Sequence, residues 1–170
     1  AAHIGIAMGG RGTDVAREAA SLVLLEDDFA SIVATIKLGR RIYDNIRHAM
    51  SYLIAVHVPT AGMALLPLLF GWPLVFFPVH IVFLEFVIDP ACSIVFEAER
   101  SDEGIMRRPP RDPGEPLFSP QMLGVSLVLG ASMLAAVFLA YWWAVEHGLP
   151  AGEVQSFGFA AIVFGNLALI

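Results

Sequence analysis

Cysteine is nearly absent. Cys92 is the single one in 170 residues and lies inside an apolar run, so no disulfide framework exists. Charge is scarce as well: Asp, Glu, Lys and Arg make up 15% of the chain against 57% apolar residues, with a mean hydropathy of +0.71. Soluble domains carry roughly 25% charged and about 45–50% apolar residues. A water-soluble fold of this size would lack the polar surface to cover itself. Also missing are a Walker phosphate loop, a zinc-type Cys/His cluster, a Ser-His-Asp arrangement and any nucleic-acid motif. Those chemistries are not expected of the chain itself, and no nucleic-acid partner is expected. The chain opens AAHIGIAMGG, without an initiator Met or a signal pattern, and stops at NLALI within an apolar segment. Both ends are expected to lie inside a longer polypeptide.

What the chain has is long apolar runs. Three are expected to cross a membrane: residues 49–70, 74–96 and 122–145. Each is about 20 residues or more, enough at 1.5 Å per residue for a hydrocarbon core of about 30 Å. A fourth, 157–170, reads as a partial span. All ten Lys and Arg lie before Ala49 or between Arg100 and Arg111. The positive-inside rule therefore predicts that residues 1–48 and 97–121 are cytoplasmic in a multi-pass cell-membrane protein. The turns at Gly71-Trp72-Pro73 and around Gly148 then face outward, with Trp142 and Trp143 as interfacial anchors.

The first 25 residues differ in kind. Ile4–Met8 reads as a buried strand ended by Gly9-Gly10, Thr13 as the cap of a helix to Ala20, and Leu22–Leu25 as a second strand closed by Glu26-Asp27-Asp28. Strand, helix, strand is the repeat of an α/β domain with a parallel sheet. Two strands cannot bury their faces alone, so this is read as the tail of such a domain. Asp28 then caps a helix whose apolar residues recur every three or four positions. It is expected to run without a break into the first span, as a rod able to transmit motion between compartments.

Polar groups within the apolar runs point to function. Glu85 and Asp89 are four residues apart near the middle of the second span, on one helix face. An ionised carboxylate at mid-bilayer costs at least about 2.5–3.5 kcal/mol, and two cost more. Cation ligands or proton carriers facing the bundle interior are the preferred reading over a structural acid pair. Pro90 cannot donate to the carbonyl of Phe86, so a helix break at Asp89, exposing oxygen ligands beside the acids, is expected. His57, Pro59 and Thr60 form a second polar step, with Pro59 freeing the carbonyl of Ala55. His57 is either a ligand or a buried histidine bonded across helices. Asn166 is either a ligand or an amide joining helices. Tyr52, Cys92, Ser93 and the methionines are read as packing. The loop from Glu97 to Pro120 is a solvated connection or a brace for the soluble segment.

Four blocks carry a family resemblance: IGIAMG, GTDVAREAASLVLLEDDFASIV, GRRIYDNIRHAMSYL and EGIMRRPPRDPGEPL. In this order they resemble the C-terminal half of P-type cation ATPases, nearest the calcium-pump-like branch. The resemblance implies a mostly α fold: a polytopic helical membrane bundle preceded by the tail of an α/β, haloacid-dehalogenase-like phosphorylation domain. Residues 1–25 would end that domain, 26–48 would form the stalk, and 49–170 would form the membrane domain. It also implies ATP and Mg2+ as cofactors, held by an upstream part of the same chain, and a transported cation and the lipid bilayer as partners. The DKTGT and GDGVND motifs of the family do not occur here, so the segment alone is expected to be inactive.

The candidate ion ligands are Glu85, Asp89, His57, Thr60 and Asn166, and the resemblance implies that the fourth membrane helix of the whole pump completes the site. Where calcium pumps of this branch carry a stretch like SSNVGE, this chain has AVHVPT; where they carry NLVTD, it has EFVID. Only Asp89 is kept, which leaves the ion open between calcium, a proton and another cation. The competing functions are a non-enzymatic channel or secondary transporter, and an inactive truncated product.

Overall fold

The computed structural model describes residues 3–100, 102–112, 114 and 116–170; the side chains of Ile88, Asp89, Ala91 and Cys92 lie outside the described residues. The chain divides into two compact units, Ala1–Tyr43 with Ser101–Pro109, and Asp44–Arg100 with Pro110–Ile170.

The first unit opens on β1 (Ile6–Met8), α1 (Asp14–Ala19) and β2 (Leu22–Leu24). The strands pair in parallel with Ile6 opposite Leu22 and Met8 opposite Leu24. Thr13 caps α1, its Oγ1 accepting from the Ala16 amide at 3.2 Å, and Arg17 pairs with Asp14. The long helix α2 (Ala30–Phe70) begins here, its first amide donating to Asp28 Oδ1 at 2.8 Å. The turn after Asp102 also belongs to this unit. Its carbonyls at Ile105 and Arg108 accept from Arg40 Nη1 of α2 at 2.7 and 2.8 Å, and Ile105 is buried. Arg108 pairs with Asp102, whose carboxyl is held below the usual range by that guanidinium and then by the Gly104 amide.

The second unit holds the apolar helices. Gly71, at φ 67°, stops α2, and the Trp72 amide turns back to the Pro67 carbonyl at 2.9 Å. Such a left-handed stop favours glycine, which has no Cβ to clash. Residues 74–77 are not helical, although the apolar run suggests they are. Pro78 is the first residue of α3 (Pro78–Phe83), and a residue before proline is driven to extended backbone, as Phe77 is at φ -102° and ψ 163°. A π turn follows at Leu84–Ile88, then α4 (Asp89–Ala98), α5 (Pro120–Glu146) and α6 (Ala151–Ala168). Helix α6 thus starts before the apolar segment at Phe157 and takes in Glu153 and Gln155.

Neighbouring contacts order these helices. α2 and α5 run the same way: Ser51 Oγ lies 2.6 Å from Ser126 Oγ, and Trp72 stacks with Phe138. α6 runs back against α5 and beside α3, where His80 stacks on Phe159 at 4.5 Å. Met63, Leu84, Met133, Val137, Tyr141 and Ile162 form the buried core, and the Tyr141 hydroxyl donates to the Pro73 carbonyl. Large apolar side chains such as Leu68, Phe70, Val128 and Leu139 are exposed on the outside of the helices. A soluble monomer rarely presents so continuous an apolar surface, whereas lipid covers it without cost. Among the described residues two helices, α2 and α5, are long and apolar enough to cross a membrane. A π turn interrupts the second apolar run, and among the described residues Pro78–Val87 is a shorter apolar helix.

Candidate functional site

The polar step on α2 begins with a missing donor. Pro59 has no amide proton, so the carbonyl of Ala55 loses its bond within the helix. It is met from α5: a Cβ placed on Gly130 would lie 2.5 Å from that oxygen. Only the bare backbone of glycine fits so close, and it covers the freed oxygen. The two other polar residues of the step turn to their own helix. His57 Nδ1 lies 2.7 Å from the Leu53 carbonyl, and Thr60 Oγ1 donates to Val56 at 2.9 Å. His57 is exposed and Thr60 half-buried.

On the second run the irregularity precedes the position expected for it. Helical geometry resumes at Asp89, and the disturbance is the π turn over Leu84–Ile88. A helix in lipid that loses a donor is better served by a wider i→i+5 turn than by an open break, which would leave several backbone groups unbonded. Pro90 offers no proton to Phe86 in the α register or to Glu85 in the π register. Oxygen atoms of the main chain therefore still gather beside the acids. Glu85 is the second residue of the π turn and is exposed; the Asp89 side chain lies outside the described residues.

Asn166 is buried on α6, and its Oδ1 has no hydrogen-bond partner among the described residues. A buried, unbonded amide oxygen is uncommon and calls for an account, because it forfeits its solvation. Among the described residues no three His, Cys, Asp or Glu side chains stand close enough to hold a metal ion.

Depth relates these residues to one another. Tyr52 of α2 meets Phe96 of α4 at 5.2 Å, and Leu169, just past α6, packs against the cluster formed by Tyr52 and Val56. Both partners run opposite to α2. Counting along each helix at about 1.5 Å per residue brings Asp89 and Asn166 to within roughly one turn of the level of His57 and Thr60. Glu85 falls about one turn farther toward the Gly71 end. A cavity of about 760 Å3 sits at the other end, between His48, Ser51 and Tyr52 of α2 and Phe96 and Glu99. None of the five is among the described residues that line it. Sequence reasoning missed the close approach of Gly130 and the bond between Ser51 and Ser126. The signal was present as Ser126 and Gly130, two small residues four apart on α5, a spacing that lets membrane helices approach.

Comparison with known proteins bears on the whole chain. The family described as "Cation transporting ATPase, C-terminus" matches residues 73–170. A "Calcium-transporting ATPase" of Bacillus subtilis (strain 168) is 35% identical over 168 residues, 98% of this chain and 19% of the relative. A "Probable cation-transporting ATPase F" of Mycobacterium tuberculosis is 30% identical over 155 residues, 91% of this chain and 17% of the relative. The "Endoplasmic reticulum calcium ATPase srcA" of Aspergillus fumigatus is 37% identical over 159 residues, 92% of this chain and 16% of the relative. The chain thus spans less than a fifth of the length of these relatives. Its apolar helices and these matches place it in a membrane, and it belongs to the P-type cation-transporting ATPases, in their C-terminal part.

Proposed function

We propose that this chain is the C-terminal part of an ATP-driven cation pump that works through a phosphoenzyme cycle. Residues 1–25 close the phosphorylation domain, whose preceding portion, on the same polypeptide, binds ATP and Mg2+ and carries the phosphorylated aspartate. Residues 26–48 are the stalk, and 49–170 lie in the membrane, with spans near 49–70, 74–96 and 122–145 and a partial one at 157–170. Residues 1–48 and 97–121 face the cytoplasm. The segment by itself neither hydrolyses ATP nor becomes phosphorylated.

Glu85 and Asp89 hold the transported cation, with His57, Thr60 and Asn166 contributing from the neighbouring helices. The observation that carries this reading is the band of His57, Thr60, Asp89 and Asn166 near one depth in an apolar bundle, with Glu85 about one turn beyond it in the π turn. Hard cations take clusters of oxygen ligands. The unbonded Oδ1 of Asn166 is one such acceptor within the band. The relatives include calcium-transporting ATPases, but ligand types differ enough here that calcium, a proton or another cation is to be chosen by a flux assay.

The test is Glu85→Gln and Asp89→Asn in the full-length ATPase. Each is expected to cut cation-stimulated phosphorylation from ATP by at least about tenfold, roughly 1.4 kcal/mol. Phosphorylation from inorganic phosphate survives in both. Normal cation dependence in both variants would make the acids structural.

A further inference from the structure

Asp27 adopts a backbone that few residues tolerate. Its φ is 54°, in the left-handed region that only Gly, Asn and Asp visit with any ease. Strain of this kind persists where the surroundings fix it. Here they do so with three donors. One carboxylate oxygen accepts from the Gly10 amide at 2.9 Å, the other from the Arg11 amide at 2.9 Å, and Arg11 Nε stands 3.4 Å away. The Asp27 amide in turn donates to Leu24 at 3.2 Å, at the end of β2. Hydrogen bonds to an ionised carboxylate are roughly twice as strong as neutral ones, and the Asp27 side chain is only 14% exposed.

The next residue begins the long helix. Asp28 Oδ1 accepts from the Ala30 amide at 2.8 Å, and its carbonyl accepts from Ser31 at 3.2 Å. No residue separates the one that grips the loop from the one that caps α2. The gripped loop follows β1, and the Leu25–Asp28 stretch follows β2, so both lie at the carboxyl edge of a parallel pair. That edge is where ligands bind in open α/β sheets.

We propose that Asp27 is a positioning residue that fastens the Gly9–Gly12 loop to the first turn of α2, so that a displacement of the loop is passed to that turn. The inference rests on the first unit alone and stands whether or not the chain pumps. The Gly10 amide, the largest influence, holds the Asp27 carboxyl below its usual range, so the grip stays ionised at neutral pH and does not act as a pH switch.

Hydrogen exchange on the full chain in lipid nanodiscs tests it, with Asp27→Ala and the milder Asp27→Asn. In both variants the Gly10 and Arg11 amides are expected to lose protection, and the Ala30 and Ser31 amides to lose at least about tenfold with them. The Gly9 amide, bonded to Leu24, and the Arg17 amide of α1 report whether the unit still folds. If only Gly10 and Arg11 open while Ala30 and Ser31 exchange as before, Asp27 is a local brace and the proposal fails. If Gly9 and Arg17 open together with the rest even in Asp27→Asn, the residue merely holds the fold, and the proposal fails equally.

Discussion

Prolines interrupt two of the apolar segments, with opposite results. Helix α2 contains Pro59 and Pro67 and stays helical from Ala30 to Phe70. The segment from Pro78 to Ala98 contains Pro90 and is split by a π turn. Each proline deletes one donor, so the chemistry of the defect is the same. The surroundings differ. Pro59 and Pro67 are buried, and the oxygen freed by Pro59 is covered by Gly130 of α5. The oxygen freed by Pro90 belongs to Phe86, a residue that is 77% exposed. The backbone of α5 closes over the bond lost at Pro59, and α2 holds its register there. The π turn lies instead beside the exposed Phe86.

Breaking the cover on α2 gives the largest expected effect. In Gly130→Val the new side chain would start 2.5 Å from the Ala55 oxygen and 2.8 Å from Val58 Cβ, and neither backbone nor Cβ can rotate away. Overpacking of this kind costs about 1–3 kcal/mol, and the upper end is expected here. Gly62→Ala is the control. Its Cβ would meet first the Leu134 side chain, both Cδ atoms at 2.5 Å and Cγ at 3.1 Å, which can move, and alanine gains about 1 kcal/mol over glycine in a helix. Unfolding in mixed micelles by SDS titration is expected to separate the two variants clearly. Equal stability of both would mean that the cover at Pro59 does not matter.

Restoring the lost donor on the other segment comes next. Pro90→Ala returns an amide proton to a site four residues after Phe86 and five after Glu85. The regular helix is then expected to extend through 84–88, a gain on the order of 1 kcal/mol for one backbone hydrogen bond. Carbonyl chemical shifts of residues 84–88 would report the change. In the full-length ATPase the same variant is expected to weaken cation-dependent phosphorylation, because the π turn that presents oxygen atoms is gone. A persistent π turn would show that the widening has a cause other than Pro90.

How much of this was legible beforehand depended on whether the controlling partner was near in sequence. The Thr13 cap and the Asp28 cap follow from local pattern and were expected, as was the run of α2 into the first span, whereas its regularity past Pro59 involves α5. The non-helical stretch before Pro78 was also local, but the apolar composition of Leu74–Phe77 outweighed it in the reading. The break expected at Asp89 is instead a π turn over Leu84–Ile88, with helical geometry resuming at Asp89. The grip of Asp27 on Gly10, and that of Arg40 on Ile105, joins residues far apart in the chain. For the candidate ion ligands, the residue types were legible, while their common depth required the pair between Tyr52 and Phe96 and the packing of Leu169 against the cluster formed by Tyr52 and Val56.

The first unit offers a smaller test, since charged side chains rather than packed glycine meet its backbone groups. Asp27 and Asp102 both accept amide protons and face an arginine, and both carboxyls lie below their ordinary value of 3.8. A depressed folded pKa stabilises above the unfolded value and is lost as pH falls through the folded one. These two groups therefore weaken the unit only in strong acid, below about pH 4, and leave it unchanged between neutrality and pH 5. Carboxyl-carbon titration by NMR is expected to give midpoints below 3.8 for both residues. A midpoint at or above it would mean that the arginine and amide contacts are not kept in solution.

The smallest expected effect on stability is at Thr60, and it sharpens the comparison most. Its hydroxyl donates to the Val56 carbonyl, an oxygen that also serves the backbone of the same helix. Thr60→Val keeps the shape, and the carbonyl it leaves still has the helical amide of residue 60 as its partner. The lost side-chain bond is worth at most about 0.5–1.5 kcal/mol, and the buried methyl offsets part of it. SDS titration is thus expected to place this variant beside the wild-type chain and far from Gly130→Val. Its effect on cation-stimulated phosphorylation of the full-length ATPase is the informative quantity. If Thr60 turns from Val56 to a cation when the site fills, activity falls severalfold at unchanged stability. If phosphorylation and its cation dependence are both untouched, the polar step on α2 serves the helix alone, and the ligands belong to the segment around Glu85 and Asp89.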